Sequence, residues 1–470
     1  MWGIELRDKS EVSLARQIFL TLKQRILAGQ IAQGEALPST RELAKGLGVS
    51  RNTVSEAYEM LWTEGYIVNR QGAPSRVADG LQIASDKGAP IKESKEEQTQ
   101  PIRWDFKTGQ PDLSLFPRQL WSQMVHHAAG NLSVRQLAYS SPRGYWPLCE
   151  EIAHWLLRSR SMEVDPEDIF ITSGATQALH LLVDLLYKEG HAYALESPSH
   201  QGIRTVVADK GYPLHWMPVD DRGADISSLY DQSISAVYVT PSHQFPLGGI
   251  LPAGRRTALI RLAMEKDFYV IEDDYDSEFR YVVAPISPIY SMDSSRVIYV
   301  GTFSKTLFPA LRLGFAILPK PLQARWKHHR MYMDVQNPVL EQAALAEFLN
   351  KRKMDKHVQR MRRVYGEKRS ILLQSVERAF GSSVQPWGDV SGLHVALQFP
   401  GMEFGEPFVR HCREAGIRIA SVSQYCPIPN CHQDKLLVGY GHLSHRQIEE
   451  GIEALREFIA SGVEGIWRMA

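Results

Sequence analysis

The sequence predicts an α/β protein with an N-terminal winged helix-turn-helix and a larger domain built on a mostly parallel sheet. Three observations predict it. Leu14, Ile18, Leu22 and Ile26 recur every four positions ahead of two short helices around a glycine. A polar, mixed-charge stretch follows near residues 80–102. Beyond it, short apolar runs alternate with helical patterns, and nearly every run ends in a polar cluster.

The chain has 470 residues, 44% hydrophobic and 23% charged, with 53 basic and 53 acidic side chains. That composition is ordinary for a globular protein, and a formal net charge of zero gives no global attraction to nucleic acid. No apolar run reaches spanning length, and the N-terminus lacks a basic-then-apolar signal pattern. Four cysteines (Cys149, Cys412, Cys426, Cys431) fit a reducing compartment. A cytoplasmic protein with no membrane segment is expected. Cys426, Cys431 and His432 lack a second ligand pair at zinc spacing, so that stretch is read as a loop and no metal site is expected.

Taken in order, the first apolar helix face ends before Gly29 and Gly34. Ser39, with Glu42 three residues on, is placed to cap a second helix through a capping box. Gly48 makes the turn, and Ser50 caps a third helix running to Leu61. The polar start of such a helix is where base edges are read. Gly65–Arg70 and Ser75–Val77 read as a hairpin, the wing. Residues 1–80 hold ten Lys/Arg and nine Asp/Glu, so non-specific DNA affinity is expected to be modest. Residues 81–103 are too poor in apolar groups to offset ordering entropy and read as a flexible linker. Residues 104–470 form the large domain.

In that domain Ile169–Thr172 leads into Ser173-Gly174-Ala175-Thr176 and an apolar helix. Small residues at a strand-to-helix turn present backbone N–H groups to an anion. Further strands end at Glu196, Val239, Asp273 and Val300, each followed by a polar cluster. Ligands of such sheets sit at the carboxyl ends of the strands. After the last strand come Thr302, Ser304, Lys305 and Arg312. A lysine in a dry site loses charge readily and forms Schiff bases, while hydroxyls and an arginine suit a phosphate. Asp273 is placed to keep a pyridine nitrogen protonated, and Tyr275 to bond the ring's 3-oxygen. Together these residues predict pyridoxal 5′-phosphate (PLP), with Lys305 as the Schiff-base residue.

Two family resemblances rest on these residues. Leu37-Pro38-Ser39, Arg41–Ala44, Val49–Val54 and Leu61 with Glu64-Gly65-Tyr66 resemble the winged helix of GntR-type bacterial repressors, over about residues 11–78. The resemblance implies that Arg41, Ser50, Arg51, Thr53 and the wing tip Gln71-Gly72 meet operator DNA. The wing departs from the family's Gly-x-Gly-Thr, reading Gly72-Ala73-Pro74-Ser75. Gly174-Ala175-Thr176, Asp273-x-Tyr275 and Thr302-x-Ser304-Lys305 with Arg312 resemble fold-type-I aminotransferases, over about residues 104–465. The whole layout, with Thr240–Pro246, resembles the MocR/GabR subfamily of regulators. It implies a homodimer in which Tyr139 reaches the neighbouring subunit's phosphate, and His200 stacked on the cofactor ring. One departure concerns substrate. Aminotransferases hold a carboxylate with an arginine where this chain has Leu437, which leaves Arg143 and Arg204 as candidates. The reading is a PLP-dependent transcriptional regulator, not an enzyme, that senses an amino-group-bearing effector. A sensor of PLP itself, and an active aminotransferase with an accessory DNA-binding domain, remain as alternatives.

Overall fold

The computed structural model describes residues 4, 6–7, 11–70, 73–81, 101–281, 286–388, 391–428 and 431–461. Most of the expected linker (82–100) and the wing tip Gln71-Gly72 lie outside the described residues. The chain divides into two compact units, Met1–Glu97 and Gln98–Ala470.

In the first unit α1 spans Leu14–Leu27, α2 Thr40–Leu47 and α3 Arg51–Thr63. The expected capping box is formed: Glu42 N donates to Ser39 Oγ at 3.3 Å and Ser39 N to Glu42 Oε2 at 2.9 Å. Gly48 takes φ 69° at the end of α2, a conformation open to glycine without a Cβ penalty. Ser50 Oγ accepts from Thr53 N at 3.1 Å and starts α3. The wing is an antiparallel pair, β1 (Ile67–Val68) and β2 (Arg76–Val77), with Ile67 opposite Val77. Ile18, Phe19, Leu22 and Ile26 from α1 meet Leu43, Val54, Ala57, Leu61, Ile67 and Val77 in one buried core. Burying each large aliphatic of this set contributes about 1.5–3 kcal/mol. Tyr58 donates to Pro38 O at 2.8 Å and ties α3 to the segment before α2.

The second unit is organised by an eight-stranded sheet: β3 (Ile169–Thr172), β4 (Ala192–Ser197), β5 (Leu214–Asp220), β6 (Gly223–Ala224), β7 (Ile234–Val239), β8 (Tyr269–Asp274), β9 (Val297–Thr302) and β10 (Gly314–Ile317). Its order is β3-β10-β9-β8-β7-β4-β5-β6. The run β9-β8-β7-β4-β5 is parallel throughout. β10 is antiparallel to both its neighbours, which leaves β3 pointing the same way as β9. Helices bury apolar cores on both faces, so strands such as Ile-Ser-Ala-Val-Tyr-Val are buried at every position. A second sheet, β11 (Gln385–Trp387), β12 (His394–Gln398), β13 (Ala420–Ser421) and β14 (Lys435–Gly439), is antiparallel. It packs with the helices Lys353–Phe380 and His445–Ala460 around its own core. Among the described residues no helix is long and apolar enough to cross a membrane.

Candidate cofactor and effector site

The carboxyl ends of β9, β8, β7 and β4 are neighbours, so the polar clusters that follow them converge. They line a cavity of about 970 Å³ with Ala175, Thr176, His200, Asp273, Tyr275, Thr302, Ser304, Lys305 and Arg312 on its walls. The turn after β3 joins them across β10. There Gly314 faces the Gly174 backbone so closely that a Cβ would lie 2.9 Å from Gly174 Cα.

Lys305 Nζ donates to Gly109 O at 2.7 Å. Burial lowers its pKa below an ordinary lysine; Asp276 and Asp273 oppose this and Lys107 assists it. Asp273, at the end of β8, is buried. Tyr238 OH donates to its Oδ2 at 2.7 Å, and its Oδ1 has no partner among the described residues. Burial pushes the carboxyl up to about 6 against the Tyr238 bond. Tyr275 OH lies 3.1 Å from His243 Nδ1 and donates to His243 O at 3.1 Å. His243 Nδ1 is 2.8 Å from Asp276 Oδ1. Gly392 (φ 80°) passes directly beside this pair, where a Cβ would strike both side chains.

At the other end of the cavity, Thr302 Oγ1 donates to Ser304 Oγ at 3.0 Å, and Arg312 Nη2 donates to Ser173 O at 2.6 Å. The guanidinium lies against Gly174, which opens the helix α4 (Ala175–Leu186) without any side-chain cap. Uncapped N–H groups, two hydroxyls and an arginine make an anion cradle.

His200 Nδ1 accepts from Gly202 N at 3.0 Å, and burial, then Lys305, holds the ring below its usual pKa. Its ring meets Phe245 at 5.6 Å. Tyr139 is 86% exposed and absent from the cavity wall of its own chain. Neither Arg143 nor Arg204 lines the cavity; Arg143 lies over the Phe170 ring, 4.7 Å from its centre. Leu437 is buried in β14 opposite Ala396 and Ala420. The cations that do line the cavity beyond Lys305 and Arg312 include Arg413 and Arg418, the latter paired with Asp105 at 2.8 Å. Sequence reasoning also missed Gly109, Tyr238 and His394. None of the three carried a local signal; Tyr238 reads as packing inside an apolar strand.

In the first unit Arg41 and Arg51 are exposed at the starts of α2 and α3. Arg51 Nε reaches Thr40 Oγ1 at 3.4 Å, joining the two helix starts. The Ser50 and Thr53 hydroxyls are 2.9 Å apart.

Comparison with known proteins agrees with both units. Residues 14–77 match the family "Bacterial regulatory proteins, gntR family", and residues 110–454 match "Aminotransferase class I and II". YdeL of Bacillus subtilis (strain 168), an uncharacterized HTH-type transcriptional regulator, is 34% identical over 455 residues, 95% of this chain and 96% of its own. The probable rhizopine catabolism regulatory protein MocR of Rhizobium meliloti is 31% identical over 464 residues, 95% of this chain and 94% of its own. Among solved structures, LysN, an α-aminoadipate aminotransferase from Thermus thermophilus, superposes with a TM-score of 0.70 at 27% identity, covering 77% of this chain and 92% of that one. The aminotransferase fold implies PLP binding, and the gntR-type region implies DNA binding. The chain therefore belongs to the HTH-type transcriptional regulators that join a gntR-type DNA-binding region to an aminotransferase class I/II domain.

Proposed function

We propose that this regulator binds PLP at Lys305 and converts the state of that site into a change in operator affinity. The observation that carries the reading is the buried, unpartnered Asp273 Oδ1 in the same cavity as a lysine whose charge is disfavoured. A carboxylate oxygen left without a bond in the interior is costly unless a ligand's N–H meets it. A pyridinium nitrogen is such a donor.

When bound, the cofactor supplies an aldehyde carbon and an electron-withdrawing ring. The remaining chemistry is the chain's own. Asp273 holds the ring-nitrogen proton, with Tyr238 fixing its second oxygen. Tyr275 bonds the 3-oxygen, and His243 with Asp276 orients that phenol. Gly174, Ala175 and Thr176, with Thr302, Ser304 and Arg312, receive the phosphate. His200 covers the ring. Lys305 presents its amine, whose charge burial disfavours, to the aldehyde. Exposed Tyr139 is assigned to the phosphate of a second copy in a homodimer. Val134, Leu137 and Tyr332, at 86%, 55% and 79% exposure, support an interface there.

The domain limits are 1–80 for DNA binding, 81–103 for the linker and 104–470 for sensing. Arg41, Ser50, Arg51, Thr53, Gln71 and Gly72 contact the operator, in the cytoplasm. The effector is a small molecule that reaches Lys305. Leu437 removes the usual carboxylate clamp, which favours a regulator over a turnover enzyme and also supports PLP itself as the signal. An acidic effector would meet Arg413 or Arg418 instead. The test is borohydride treatment of the PLP-loaded protein followed by peptide mapping. The label is expected on Lys305, and its appearance on another lysine refutes the assignment.

A further inference from the structure

A second cavity, of about 340 Å³, shares no lining residue with the one around Lys305. Its volume falls within the range of small-ligand pockets, about 300–1,000 Å³. Three elements wall it: the helix Trp146–Arg160 through Arg158 and Arg160, the segment just after β8 through Glu278 and Arg280, and the helix Lys353–Phe380 through Asp355 and Arg362.

The wall is rich in guanidinium groups. Arg160 is only 4% exposed. Its Nη2 lies 2.5 Å from Asp274 Oδ2 and 3.8 Å from Glu278 Oε1. Its Nη1 is buried and has no hydrogen-bond partner among the described residues. Arg158 repeats the pattern: Nη2 is 3.3 Å from Asp355 Oδ2, and the buried Nε has no partner among the described residues. Arg280 Nε donates to Ser277 O and Arg362 Nε to Glu278 O, each at 3.0 Å. Four arginines thus meet three carboxylates, those of Asp274, Glu278 and Asp355, and the set is positive even with all three ionised. Burial pushes Glu278 up to about 7, so near neutral pH it carries less than a full charge. A buried charged donor without an acceptor is costly, and a ligand oxygen relieves that cost. Guanidinium forks match the oxygens of carboxylates and phosphates.

We propose that this cavity binds a small oxyanion of two or more negative charges, a phosphate or a dicarboxylate, held by Arg158, Arg160, Arg280 and Arg362. The site stands whether or not Lys305 carries PLP.

Its place in the fold gives it leverage. Asp273 and Asp274 are consecutive at the end of β8, so their side chains leave opposite faces of the sheet. Asp273 faces the cofactor cavity, whereas Asp274 is held by Arg160 and, at 2.7 Å, by Tyr299 OH. The helix that supplies Arg362 packs with the second sheet. An oxyanion bonded by both Arg160 and Arg362 ties the end of β8 to that helix.

The experiment titrates the full-length chain by calorimetry at constant ionic strength, with inorganic phosphate in one arm and succinate in the other. Whichever binds names the ligand's chemistry. The cofactor cavity has its own anion cradle, so Arg312→Gln is the control. The expected result is a site that survives Arg312→Gln and is weakened about tenfold or more by Arg158→Gln and by Arg362→Gln. Binding lost in Arg312→Gln and indifferent to the other two variants places the anion in the cofactor cavity and overturns the proposal. So does the absence of binding by either anion at millimolar concentration. The anion that binds should also slow phenylglyoxal modification of Arg158 and Arg362 in the unsubstituted chain, read by peptide mapping, which needs no variant to fold. Modification of both arginines at an unchanged rate overturns the site.

Discussion

Replacing Tyr238 by phenylalanine deletes one hydroxyl and one bond, the 2.7 Å donation to Asp273 Oδ2. Among the described residues no other group bonds that carboxylate, because Oδ1 has no partner there. A hydrogen bond to a charged group is worth about 1.5–3 kcal/mol, which moves the Asp273 midpoint up by about one to two pH units from its value of about 6. If PLP requires Asp273 ionised, its affinity scales with the ionised fraction of the free protein. Wild type is then about half ionised at pH 6, and the variant about 1–10% ionised. The dissociation constant should rise about 5- to 50-fold at pH 6 but less than about twofold at pH 8.5. Quenching of tryptophan fluorescence on titrating the apo-protein with PLP measures it. The cofactor's own ionisations are common to both proteins and cancel in the ratio. A loss of equal size at both pH values, or a larger one at pH 8.5, would show that Tyr238 does not act through the charge of Asp273.

Arg51→Ala should weaken binding at the cognate operator by about 1–3 kcal/mol, and a gel shift indistinguishable from wild type would remove the arginine from the interface. Ser39→Ala deletes the capping box at the start of α2 and should destabilise the DNA-binding unit by about 0.5–2 kcal/mol, read by urea denaturation of the full chain at its first transition. Burial pushes Glu196 and Glu272 up to about 7, above an unfolded value near 4.3. The folded protein therefore holds the extra protons, and the stability they confer is present at low pH and lost as pH rises through about 7. Glu278 is pushed up to about 7 by burial as well, so between pH 6.5 and 8 the apo-protein should lose about 2–3 kcal/mol, and Glu196→Gln should remove roughly a third of that slope in denaturant titrations; a slope of the opposite sign would contradict the burial argument.

The sheet was legible because its strands are short, apolar and buried on both faces, and each ends abruptly in polar residues. The meeting of Lys305, Asp273 and the Gly174 turn at one end of the sheet was legible for the same reason: each directly follows or closes a short apolar strand run. Their partners were not. Gly109 meets Lys305 from 196 residues away through a backbone carbonyl, which no side-chain pattern encodes. Tyr238 sits in a strand buried at all six positions, where a phenol is indistinguishable from packing until Asp273 is placed beside it. Arg143 misled because it lies not at a strand end but in the turn before the helix Trp146–Arg160, with its guanidinium over the Phe170 ring. The antiparallel insertion of β10 was hidden by its length of four residues directly after the lysine loop. In the first unit the capping box and the glycine turn are local signals, and both formed where the sequence placed them.

The measurement that bears most directly on regulation through the cofactor site is operator affinity of the same protein with and without PLP, and with each of a panel of amino acids, alongside keto acid release. A ligand shifts the DNA-binding equilibrium only by its differential affinity for the two arrangements. Coupling of about 1–3 kcal/mol predicts that PLP or one amino acid changes operator affinity about 5- to 150-fold, that Lys305→Ala abolishes the response, and that no keto acid accumulates over many turnovers. Operator affinity indifferent to PLP and to every amino acid, together with rapid multiple-turnover transamination, would contradict it.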